Sequence, residues 1–66
     1  MHLSVTELRN IQRILRRAME LLEDAATLAR TAGDPIKEQQ LLGAWEAVKN
    51  EFSDTQARII ILNQHP

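Results

Sequence analysis

The residues best suited to chemistry are four arginines set close together, Arg9, Arg13, Arg16 and Arg17. A guanidinium is a planar fork of donors that matches phosphate or carboxylate oxygens two at a time. Arginines at i, i+4 and i+7 would form a helical ridge about one and a half turns long, able to grip an RNA or DNA backbone. Three acids follow the ridge, Glu20, Glu23 and Asp24. Arg16 and Arg17 can instead pair with Glu20 at i,i+4 and i,i+3, each pair contributing a few tenths of a kcal/mol. The chain carries a formal net charge of −1, so it lacks the positive field that nucleic-acid and anionic-membrane binding usually require. No aromatic residue accompanies the arginines to stack on a base. Local pairing is the favoured reading, with nucleic acid as the alternative partner.

Other chemistry is poorly provided for. Ser4 is placed as a helix cap and Ser53 as a solvent-facing helix residue, and neither has a base at workable spacing. The E-x-x-H signature of a di-iron bundle is missing, because the histidines, His2 and His65, stand at the two ends of the chain. They could meet across an open end and hold a stray metal ion. With no cysteine, thiolate metal sites and disulfides are excluded. The expectation is no enzyme activity, no catalytic residue, no metal and no cofactor.

The elements that would position these side chains are two helices. Apolar residues fall at Leu8, Ile11, Leu15, Ala18, Leu22, Ala25, Ala29 and Ala32, steps of three and four that mark a heptad seam of the coiled-coil kind. Ser4 and Glu7 fit a capping box, and Leu3 and Leu8 occupy the two positions of a hydrophobic staple. Gly33 suits the left-handed position just past a helix, and Asp34-Pro35 supplies an N-cap and a first-turn proline. A second seam then runs through Leu41, Trp45, Val48, Phe52, Thr55, Ile59 and Leu62. The spacing predicts helices over about 5–32 and 35–62 with a turn at 33–34. Ser53 with Gln56 could serve as a second capping box, so a break near Ser53 is an alternative course for the second helix.

So short a turn forces the helices antiparallel. Paired positions should then add to about 70, which sets Trp45 against Ala25 and Phe52 against Ala18. Large against small is what close packing requires. The same placement makes Trp45 a packing residue rather than a recognition anchor.

A hairpin alone leaves too much apolar surface. Ile14, Leu21 and Leu28 recur at heptad spacing beside the first seam, with Met19 and Ala26 on its other side, and Ile60 and Ile61 point away from the second. Each large aliphatic group left in water forgoes roughly 1.5–3 kcal/mol. A domain of 66 residues without disulfides or metal needs another staple. The fold expected is therefore all-α, an antiparallel two-helix hairpin dimerising into a four-helix bundle, with Ile14, Met19, Leu21, Leu28, Ile60 and Ile61 at the dimer interface. If two copies of the first helix cross antiparallel near Leu21, Arg17 of one approaches Asp24 of the other.

The start Met1-His2-Leu3 carries no basic stretch leading into an apolar run, and no stretch approaches the roughly 18 apolar residues of a membrane span. These features point to a small cytoplasmic protein that does not engage membranes. It would regulate or connect through protein contacts, as a homodimer that binds another protein.

Overall fold

The computed structural model describes residues 2–64. It is a hairpin of two helices packed against each other, α1 (Val5–Thr31) and α2 (Pro35–Gln64). His65 lies outside the described residues, as does its suggested approach to His2.

The first turn of α1 is closed by the expected reciprocal pair. The Glu7 N–H donates to Ser4 Oγ at 3.1 Å, and the Ser4 N–H donates to Glu7 Oε1 at 3.3 Å. Two orphan donors of the helix start are thereby satisfied. Leu8, only 2% exposed, anchors that turn to the core, and Leu3 before it is half-buried.

At the other end the connection is shorter than any flexible loop. Gly33 N–H donates to Arg30 O at 3.0 Å and Asp34 N–H to Ala29 O at 2.9 Å, with Gly33 at φ +76°. This is the Schellman arrangement, which needs a left-handed residue that glycine adopts without strain. Asp34 then acts a second time, its Oδ1 accepting from Lys37 N–H at 2.9 Å and its carbonyl from Glu38 N–H at 3.1 Å. Pro35 takes the first helical position, where no N–H is needed. Arg30 Nε and Glu38 Oε2, 2.6 Å apart, span the turn from outside.

Contacts between the helices fix the register. Gln12 Nε2 donates to Gln56 Oε1, the Arg16 guanidinium lies over the Phe52 ring, Trp45 Nε1 donates to Glu23 Oε1, and Arg30 pairs with Glu38. In every one of these pairs the residue numbers add to 68. Seam residues were expected to add to about 70, so these partners come from one flank of the α1 seam. α2 leans toward that flank. The lean explains why Ala26 is buried and Met19 half-buried, although both were expected beside the seam and Met19 at a dimer interface. It also leaves the opposite flank uncovered.

Leu8, Ala29, Thr55 and Ile59 are buried in the core. The Thr55 hydroxyl donates to Glu51 O at 2.8 Å, so its burial leaves no unpaired group. Ala32 and Leu62, placed on the seams by periodicity, are exposed. Ala32 caps α1 where α2 is only beginning, and Leu62 lines a recess with His2, Leu3, Arg58 and Ile61 at the open end of the hairpin. Helix α2 passes through Ser53 unbroken. A break there would take Phe52, Thr55 and Ile59 off one continuous face.

The outcome is a rod of 53 × 18 × 14 Å with a radius of gyration of 15.1 Å. A compact chain of this length would have a radius of gyration of roughly 11 Å.

Candidate functional site

Two faces of the rod are candidates, and they lie roughly 150° apart around α1 at about 100° per residue. The first is the uncovered flank. Ile14, Leu21 and Leu28 are 69%, 51% and 70% exposed, and at 1.5 Å rise per residue they repeat about every 10 Å. Ile61 is also exposed near the C-terminal end of α2, and Ile36 near its start, whereas the exposed Ile60 stands four residues after Gln56 and so falls on the recess side rather than this flank. Isolated exposed aliphatics are ordinary, but a row of three at heptad spacing makes this flank a candidate contact surface.

On the same side, Arg17 Nη1 lies 3.2 Å from Glu20 Oε2, so the i,i+3 pairing forms. Arg16 does not share that acid. Its guanidinium carbon stands 5.4 Å from the centre of the Phe52 ring on the other face.

The second face contains a recess of about 270 Å³ between the helices, lined by Arg9, Gln12, Arg13, Arg16 and Phe52. Of the four arginines singled out by sequence, the fold gathers three here and turns Arg17 away. Gln12 is fixed by its bond to Gln56, and Arg13 Nη1 donates to Asn10 Oδ1 at 3.3 Å. Phe52 is half-buried, with its inner edge on the seam and its face under Arg16. The participation of Phe52 and Gln12 was not foreseen. Periodicity placed Phe52 within the seam, and only the lean of α2 carries its ring out to the arginine flank.

Farther along this face Trp45 is half-buried. Its indole N–H is satisfied by Glu23, and Lys49 Nζ lies 5.5 Å from the ring centre. Among the described residues, no three histidines or acids converge as a metal cage. Among the same residues, no helix is long and apolar enough to cross a membrane.

Comparison with protein families, with curated proteins and with solved structures finds no match. The functional reading therefore rests on the geometry of the two faces.

Proposed function

We propose that this chain is a small, non-enzymatic cytoplasmic adaptor or regulator that works as a homodimer through protein contacts. In this reading two hairpins pair along the Ile14, Leu21 and Leu28 stripes to form a four-helix bundle, with Ile61 extending the contact and Ile60, on the recess side, left out of it. The exposure of that stripe on a well-capped helix is the observation that carries the reading.

Surface area supports it. A compact monomer of 7.5 kDa would expose about 4,200 Å² by the scaling of monomeric proteins, whereas this rod exposes 5127 Å². The surplus, about 900 Å², is close to the roughly 800 Å² that each partner gives to a standard interface. Charge supports it too. An antiparallel crossing at Leu21 sets Ile14 against Leu28 and brings the basic half of each α1 beside the acidic half of its mate. Arg17 could then exchange its own Glu20 for, or share it with, the mate's Asp24.

The test is solution mass by light scattering, paired with circular dichroism over a dilution series. A mass of two chains with helicity that falls on dilution supports the reading, because folding and association are then linked. A fully helical single chain at all concentrations would overturn it. The association should weaken only slightly with salt, since the apolar stripe is insensitive to ionic strength and only the flanking charge pairs are screened.

A further inference from the structure

We infer that the recess lined by Arg9, Gln12, Arg13, Arg16 and Phe52 docks an acidic segment of a partner protein. Such a segment would bring carboxylates to the guanidinia and an apolar side chain to the edge of Phe52. The inference rests on the adaptor reading and names the chemistry of what the adaptor holds.

Charge complementarity is the first argument. Arg17 and Arg30 each have a carboxylate within 4 Å, whereas Arg9, Arg13 and Arg16 have none among the described residues. Three cations thus face one recess without an internal anion. Their arms are braced by neutral groups, Asn10 for Arg13 and the Phe52 face for Arg16, which orients them while leaving most donors unused. Bidentate pairing with a carboxylate is the strongest use of such a fork. Arginine beside a partly buried aromatic ring is also the composition of interface anchors.

Size and placement favour a protein segment over nucleic acid. At about 270 Å³ the recess lies just below the roughly 300–1,000 Å³ of small-molecule sites, so it accepts side chains rather than a whole cofactor. Arg16 already covers the Phe52 face, which removes it as a platform for base stacking. In the proposed dimer the two recesses point away from each other. Arg13 is eight residues from Leu21, so they sit about 24 Å apart along the axis. One duplex could not lie across both, and three arginines fall well short of the six to ten phosphate contacts of a typical DNA-binding surface.

The experiment uses a fluorescein-labelled helical peptide with glutamates and leucines at i, i+4 spacing, and a single-stranded oligothymidine of similar length. Fluorescence anisotropy with the full chain reads binding, and light scattering of the same samples reads mass. The expected result is saturable peptide binding that Arg13→Gln and Arg16→Gln each weaken by about ten-fold or more, and that Arg17→Gln changes by less than about two-fold. Circular dichroism verifies that each variant stays helical. Absence of peptide binding, or equal losses from Arg17→Gln, overturns the inference. So does tighter binding of the oligonucleotide through the same three arginines. Mass distinguishes the two readings: peptide binding by a single-chain species sinks the dimer and keeps the recess, while a stable dimer blind to the peptide does the reverse.

Discussion

The two faces of the rod use apolar residues in opposite ways. On the recess face, the large side chains Phe52 and Trp45 are half-buried, and each ring has a cation above it at 5.4 or 5.5 Å. The rings there are partly covered within the hairpin. On the stripe face, Ile14, Leu21 and Leu28 stand more than half exposed. One lateral displacement produces both conditions, because a helix that leans toward one flank of its neighbour covers that flank at the expense of the other. Two helices cannot cover both flanks of one seam, and the proposed dimer contact falls on the flank left bare.

The largest expected effect lies on the bare flank. Leu21→Glu should cost the dimer about 3–6 kcal/mol, since the two-fold axis counts the lost burial twice. Light scattering should then read one chain at concentrations where the parent reads two. If its mass stays at two chains, the stripe is not the interface.

The intramolecular core provides the scale for comparison. Leu8→Ala should destabilise by roughly 2–4 kcal/mol, measured by urea unfolding, and the loss should fall equally on a forced monomer. On the recess face, Trp45→Ala should cost about 2 kcal/mol, below the 3–5 of a fully buried aromatic, because the ring is only half covered. A loss of about 4–5 kcal/mol, as from a fully buried ring, would mean that a partner chain finishes the burial of Trp45.

Two glycines give effects near 1 kcal/mol with opposite signs. Gly33→Ala forces a side chain into φ +76° and should destabilise by about 1–2 kcal/mol. Gly43 lies within α2, and a methyl there would meet nothing within 4 Å, so Gly43→Ala should stabilise by about 0.5–1 kcal/mol. Thermal unfolding of the pair checks both signs. The smallest effect belongs to Arg17→Ala, whose exposed pair with Glu20 should be worth no more than about 0.5 kcal/mol. A larger loss that appears only at dimer-forming concentrations would place Arg17 in a contact between chains.

Much of the hairpin was legible in the sequence. Ser4, Glu7, Gly33, Asp34 and Pro35 each act within a few residues of themselves, and local chemistry of this kind survives without knowledge of the partner helix. The seams were legible as stripes for the same reason. What periodicity cannot convey is the lateral offset between two stripes, which depends on how unlike side chains interlock across the contact. That is why Met19 and Ala26 moved from the margin to the covered face, and why Phe52 joined Arg9, Arg13 and Arg16. The cap-like Ser53 and Gln56 offered an alternative that the second helix does not take. Their local alternative is weak beside the packing of Phe52, Thr55 and Ile59, which holds only if α2 continues.

Asp34 closes α1 and opens α2 with the same residue, so the rotational phase of the second helix is geared directly to the first. Inserting a single residue after Gly33 would turn α2 by about 100°, swinging Trp45 and Phe52 away from α1 and bringing charged positions into the seam. Substitutions can accumulate along either helix without disturbing that gearing. Changes of length at the turn cannot, and the spacing from Arg30 to Glu38 is in effect the clock setting of the whole molecule.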